Sequence, residues 1–413
     1  MLAVAAHDDN AVKLYNVLGG GVLLQAVASV PVGKQPTEMC IAPNGKYLFV
    51  SNAGDKNVSM IDVDSKTVTG QLADADLQSP DGCAVSPDSK KLYSVDQAGN
   101  AIFVFSTGSK QMLRKIAVGK EPRRAIFSPD GSRILVSNSH DDTLSVIDPS
   151  TDTVVKTIKT GNEPRDMTYS PDGKLLAVTL INDDCVELFK ADTLEVKQQV
   201  AAVRSPQHME FSPDSQRLYV LGKISDEVAV LRIGPLARLM DTIPVTHGPL
   251  GVLNCWGLAM SADGKFLYVS NFGDDAISVI DLQLMKTFRA FPGGKMPYGV
   301  VFIKPSGGVT GMGLTARLDR YRSLAKMAAD AANKKDLVAA TKFSQTLEME
   351  WDEGEQALRR SSPDIWNQID EAMDDFIHAI ARSGNAAPGD SALNIAYETF
   401  LKKLSLAAQS KSK

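Results

Sequence analysis

Hydrophobic and polar positions over roughly the first 300 residues alternate in short runs, not at helical spacing. Runs such as "RAIFS", "RILVSN" and "TLSVID" are rich in β-branched and aromatic side chains, and Gly, Pro, Asn and Asp separate them. That is the pattern of half-buried strands joined by tight turns. The pattern also repeats. "GKQPTEMCIAPNGKYLFVSN", "LQSPDGCAVSPDSKKLYSVD", "GKEPRRAIFSPDGSRILVSN", "GNEPRDMTYSPDGKLLAVTL" and "RSPQHMEFSPDSQRLYVLG" align without gaps. Their second prolines are Pro43, Pro87, Pro129, Pro171 and Pro213, spaced by 44 residues once and by 42 thereafter. A sixth copy, "CWGLAMSADGKFLYVSN", follows an insertion, and a seventh, "MPYGVVFIKPSGG", stops after its first strand.

Four strands in about 42 residues, repeated, predict propeller blades. The N-terminal "LAVAAHDDNAVKLYNV" and "LLQAVASVPVG" match the second to fourth strands of a blade whose first strand is missing, and "YGVVFI" is a first strand without followers. Together they make one blade. The sequence therefore predicts a mainly β fold, a seven-bladed β-propeller closed by N- and C-terminal strands over residues 1–304. After a Gly-rich hinge at 305–313 the period changes to that of helices. Four amphipathic segments over 314–413 predict an all-α four-helix bundle, with Leu347, Trp351, Leu358, Ile365, Ile369, Phe376 and Ile380 inward. "SSPDIW" is a helix start, with Ser362 as N-cap and Pro363 in the first position.

The segments "VSNAGDKNVSMIDVDSKTV", "VSNSHDDTLSVIDPSTDTVVKTIKTG" and "YVSNFGDDAISVIDLQLMK" resemble the YVTN-type repeat of YncE-like and surface-layer-like propellers. The resemblance spans residues 1 to about 304. It implies a binding or scaffold protein in a periplasmic or otherwise extracytoplasmic setting, although no export signal is present in this numbering and a cytoplasmic setting stays open. The tail, through "LEMEWDEGE" and "PDIWNQIDEAMDDFIHAI", resembles helical domains of bacterial iron-uptake proteins.

In a blade the first strand is innermost, so residues at its start face the channel mouth. Counting from each repeat's first proline (or the residue in its slot), the next position holds Thr37, Asp81, Arg123, Arg165, Gln207, Trp256 and Tyr298. The one after holds Glu38, Gly82, Arg124, Asp166, His208, Gly257 and Gly299. A ligand-binding funnel is expected from Glu38, Asp81, Arg123, Arg124, Arg165, Asp166, His208, Trp256 and Tyr298, with the glycines leaving room beside the aromatic rings. Forked guanidinium donors and aromatic faces suit a planar anion. The competing expectation is a solvated ion-pair belt across the mouth.

Histidines and a cysteine also gather at this end: His7, His140, His208, His247 and Cys255. They raise a metal or haem-like cofactor as a reading, though no two show ligand spacing in sequence. The Asp-Asp pairs of the same loops are expected to cap turns, not to bind calcium. No nucleophile elbow, phosphate loop or dinucleotide fingerprint appears. A lactonase-type hydrolase or lyase would use His208 and Glu210 as acid and base beside Arg124. In the tail, Asp375 with His378 and Glu348 with Asp352 have helical spacing, but a di-iron bundle needs two Glu-x-x-His motifs and one histidine is present. A solvated acidic face is expected.

Composition narrows this set. A net charge of −5 disfavours nucleic acid, and no apolar run reaches transmembrane length. Four cysteines without C-x-x-C spacing exclude a zinc ribbon, and they are expected as free, packed thiols. The leading expectation is a non-enzymatic binding or scaffold protein for a small anionic ligand or a protein partner. The helical tail would serve docking or oligomerisation. The hydrolase and the metal or tetrapyrrole handler remain as alternatives.

Overall fold

The computed structural model describes residues 1–245, 254–303, 314–361, 363–383 and 391–409. The chain forms two compact units, Met1–Ser306 and Gly307–Lys413.

The first unit is a seven-bladed propeller of four-stranded antiparallel sheets. Blades 1 to 6 cover 36–73, 80–117, 122–159, 164–201, 206–244 and 255–292. Blade 7 is shared: its inner strand Pro297–Phe302 pairs with Leu2–Ala6, which continues through Ala11–Leu18 to the outer strand Leu23–Pro31. Leu2 to Ala6 are fully buried, so closure covers their apolar side chains and pairs backbone N–H and C=O groups that an open ring would leave as a free edge. Burial falls outward, from inner strands such as Pro80–Val85, buried throughout, to outer strands such as Met112–Ala117, mostly exposed. Clusters of buried residues fill the spaces between neighbouring sheets, as between blades 4 and 5 and between blades 1 and 2.

Two local devices repeat. In "SPDG" turns the serine hydroxyl donates to the aspartate and accepts the N–H of the strand that follows: Ser170 Oγ lies 2.6 Å from Asp172 Oδ1 and 2.9 Å from Leu175 N. Between blades, an Asn or Asp with positive φ at the turn after the second strand reaches the next repeat. Asn100, Asp142, Asp184 and Asp275 accept the N–H of Glu121, Glu163, Ser205 and Met296 at 2.8 Å. The acidic loop pairs thus cap turns, through side chains that tolerate the left-handed region.

One expectation fails. Cys40 and Cys83 are joined by a disulfide, with Cα atoms 5.9 Å apart. They lie on the inner strands of blades 1 and 2, which run side by side, so residues 43 apart in sequence become neighbours. Cys185 and Cys255 are buried free thiols.

The second unit has four helices, α1 (Leu314–Asn333), α2 (Leu337–Ser361), α3 (Pro363–Ser383) and α4 (Ser391–Gln409). Ile369, Met373, Phe376 and Ile380 recur at helical spacing along α3 and join Tyr321, Leu347, Trp351 and Phe400 in one core. The Trp351 indole donates to Asp370 at 2.8 Å. Glu348, Asp375 and His378 lie on the exposed surface. Ser362, the hinge at 305–313, and the side chains of Asp352, Leu358 and Ile365 lie outside the described residues. No described helix is long and apolar enough to cross a membrane.

Candidate functional site

Each inner strand carries a β-bulge at its start. In blade 1 Pro36 pairs with Asn52 and Met39 with Val50, so one extra residue sits between the two rungs; the other six blades repeat the shift. A bulge breaks the alternation of faces and re-aims side chains. Two consecutive residues per blade therefore reach the channel.

The second of these positions forms a cross-channel network. Arg124 of blade 3 lies 3.4 Å from Glu38 of blade 1 and 3.3 Å from Asp166 of blade 4. His208 of blade 5 lies 3.1 Å from Glu38 and 3.6 Å from Asp166. Two cations thus alternate with two carboxylates, and Glu38, Asp166 and His208 are all buried. These ion pairs run across the channel between largely buried side chains, unlike the solvated belt of the competing expectation. Burial pushes the Glu38 carboxyl up, but His208 and Arg124 more than offset it and hold it at about 2. Burial pulls His208 down, yet Glu38 and Asp166 raise it above the ordinary imidazole value. Both ring nitrogens of His208 thus face buried carboxylates, which leaves neither free to take a proton from a substrate.

The three glycines of this register do not leave room for a ligand. A Cβ on Gly82 would lie 2.4 Å from the Arg123 carbonyl oxygen, and one on Gly257 would lie 2.5 Å from that of Tyr298. Gly299 meets the Thr37 carbonyl in the same way, at 2.7 Å. They let neighbouring inner strands close up.

The first bulge position, nearer the mouth, carries a second layer. Trp256 and Tyr298 stack with centroids 4.4 Å apart. The Arg165 guanidinium lies 5.0 Å from the indole and within 3.5 Å of the Tyr298 hydroxyl. Lys223 Nζ is 3.9 Å from the same indole. Arg123 is paired with Glu121 and with Asp81, the latter at 3.5 Å. No carboxylate lies within ion-pair distance of Arg165 or Lys223 among the described residues. Burial, then repulsion from Arg165 and Arg123, lowers the Lys223 pKa. Burial raises Asp81, and Arg165 and Arg123 recover only part of that shift. The mouth of a net acidic protein is therefore locally cationic.

Lys223 was not legible as a site residue, nor was Phe272, which packs against Trp256, Tyr298 and His7. Both follow the last residue of a blade's second strand, as do His7, Ala53, Gln97, Ser139 and Ile181. That column of the repeat forms a further ring around the mouth. Reading it beside the two bulge columns would have found them.

The candidate metal ligands are not brought together. His7 contacts Asp8 at 2.6 Å, His140 is exposed beside Glu121 at 2.7 Å, and the buried Cys255 thiol faces Asn271 at 3.6 Å. Burial pushes the Cys255 pKa up, away from the thiolate a metal needs. His247 lies outside the described residues. Among the described residues no group of three His, Cys, Asp or Glu side chains could hold a metal ion. Glu210, the second candidate for acid–base work, contributes charge to the surroundings of Arg124. A shallow cleft of ≈ 520 Å³ on the rim is lined by His7, Asp8, Lys34, Gln35 and Lys295, among others.

Similar folds occur among solved structures. The chain is similar to Kuenenia stuttgartiensis hydrazine synthase, at 22% identity over 66% of this chain and 90% of that one, TM-score 0.59. It is similar to a functionally unknown protein from Desulfotomaculum acetoxidans, at 14% identity over 74% and 99%, TM-score 0.64. The β-propeller domain of Myceliophteria thermophila Cps50 (Swd1) matches at 13% identity over 65% and 89%, TM-score 0.56. At these identities the likeness concerns the fold alone. No curated protein matches the chain. Residues 92–290, from the second strand of blade 2 almost to the end of blade 6, match the model of the YncE-like β-propeller family. Match, blade count and register agree on a seven-bladed propeller whose residues 92–290 are similar to the YncE-like β-propeller family.

Proposed function

We propose that this protein is a non-enzymatic binding protein whose propeller mouth holds a small anionic ligand. The observation that carries the reading is Lys223, half-buried against Trp256, repelled by two arginines and without a carboxylate partner. Burying like charges together is unfavourable unless an opposite charge completes the set. An anion between Arg165, Arg123 and Lys223 does that. The network of Arg124, His208, Glu38 and Asp166 crosses the channel beneath this layer. The hydrolase reading has less support, because His208 and Arg124 are committed to buried carboxylates.

The test is titration of the full chain at low salt with a panel of small carboxylates, phosphate and sulfate, followed by calorimetry. Binding of one panel member that Lys223→Gln weakens roughly tenfold or more supports the reading. Absence of binding by every member overturns it.

The extracytoplasmic setting is proposed on a separate ground. A disulfide linking two blades persists in oxidising compartments and is uncommon in reducing ones. Thiol alkylation in intact cells of the native host tests it, since free Cys40 and Cys83 in vivo would contradict it. The helical unit is proposed as a docking element, and exposed Val338 on α2 and Ile395 on α4 support that role.

A further inference from the structure

Four polar atoms at the mouth are buried and lack a hydrogen-bond partner among the described residues: Arg123 Nε, Trp256 Nε1, Asp81 Oδ1 and Gln207 Oε1. Native folds leave few such atoms, and each calls for a water, an ion or a ligand. All four belong to the same register of the repeat, from blades 2, 3, 5 and 6, with Arg165 of blade 4 between them. Two are donors and two are acceptors. Asp81 is 4% exposed and Gln207 2% exposed, so neither acceptor turns to bulk solvent for a partner. Gln207 Nε2 lies 3.3 Å from Ser205 Oγ, and its oxygen is the unpaired atom.

The aromatic surface is already used. Trp256 carries Tyr298 in stacking contact and two cations within 5.0 Å of its ring. A flat aromatic acid would have to displace one of them. A compact anion needs no aromatic face.

We infer that the ligand is a protonated oxyanion of the phosphate class, hydrogenphosphate either free or as the end group of a small monoester. The inference rests on the anion reading above and deepens it. Arg165, Arg123 and Lys223 supply charge, and Arg123 Nε and Trp256 Nε1 donate to ligand oxygens. Asp81 Oδ1 and Gln207 Oε1 require something more, a proton donor on the ligand itself. Inorganic phosphate carries at least one P–OH near neutral pH, because only its second ionisation lies in that region and its third lies far above it. A monoester, whose last ionisation lies at about 6, would bind as its singly protonated form. Sulfate is fully deprotonated there and would face these acceptors with bare oxygens. The same chemistry separates phosphate from carboxylates, which are also proton-free at that pH.

Calorimetry on the full chain near neutral pH, with inorganic phosphate, glycerol 3-phosphate, sulfate and benzoate as probes, tests the class. Phosphate or glycerol 3-phosphate is expected to bind, and sulfate and benzoate at least roughly tenfold more weakly. The preference between the first two distinguishes the free ion from the ester. Asp81→Asn offers an amide donor and is expected to shrink the phosphate-over-sulfate ratio, a readout that a loss of folded protein does not mimic. Trp256→Phe, which removes only the indole donor and keeps an aromatic ring, is expected to weaken phosphate without restoring sulfate. Equal binding of sulfate and phosphate, or tighter binding of benzoate, overturns the phosphate class and leaves the anion site standing. Absence of binding by all four probes overturns the class, and only failure across the wider anion panel overturns the site itself.

Discussion

Replacing Glu38 by glutamine is the most direct probe of the cross-channel network. The substitution keeps shape and removes charge from a carboxyl that is 6% exposed and sits between His208 and Arg124. Its pKa falls from an ordinary 4.5 to about 2 in the folded protein. Linkage converts that difference to roughly 3 kcal/mol of stability, at about 1.4 kcal/mol per pH unit. The sign follows from the direction. A depressed carboxyl contributes stability above its unfolded pKa and loses it as pH falls through the folded one. Glu38→Gln is therefore expected to destabilise the propeller by about 3 kcal/mol at neutral pH, with the gap closing between pH 4.5 and about 2. Urea unfolding of both proteins across that range, followed in the β-sheet band of circular dichroism, measures it. His208 titrates above this window, so its own contribution, present at low pH and lost as pH rises through its raised pKa, enters through the neutral end only. A gap below about 1 kcal/mol at neutral pH would place the network with weak surface pairs. A gap that does not change with acidification would refute the assignment of charge to Glu38.

Reduction of the Cys40–Cys83 disulfide opens a loop of 43 residues and is expected to cost up to roughly 4 kcal/mol; an unchanged thermal midpoint with and without reductant argues against it. Gly82→Ala drives a methyl into the Arg123 carbonyl and is expected to destabilise by about 1–3 kcal/mol, seen as a lower denaturation midpoint. Lys223 loses part of its charge as pH rises toward its lowered pKa, so anion binding at alkaline pH is expected to take up protons. Calorimetric heats that vary with the ionisation enthalpy of the buffer reveal the uptake, and Lys223→Gln abolishes it.

The blades were legible because one period carries strand, turn and strand again, and the prolines mark it without gaps. The two channel-facing columns were legible for the same reason. What they do there was less so. Gly82 reads as empty space in one dimension, whereas the neighbouring inner strand presses against it in three. Cys40 and Cys83 occupy different columns, offset by one, and only the side-by-side packing of inner strands joins them. Lys223 stands in a column whose other members are mostly small, apolar or neutral, so no charge pattern drew attention to it. The ion pairs of Arg124 depend on residues one and two blades away, a distance that ring curvature sets and sequence does not display.

The shared seventh blade has a consequence for how the chain is made. Residues 2–31 wait for the strand that completes their sheet until residue 302 has been synthesised. At about 5–20 residues per second that is roughly 15–60 s during which the inner edge of Leu2–Ala6 stays uncapped. Such an edge is a template for pairing with another nascent chain. The first and last strands of the propeller thus set a kinetic window in which this protein is most exposed to misassembly, and the ring's last hydrogen bonds to form are those that end it.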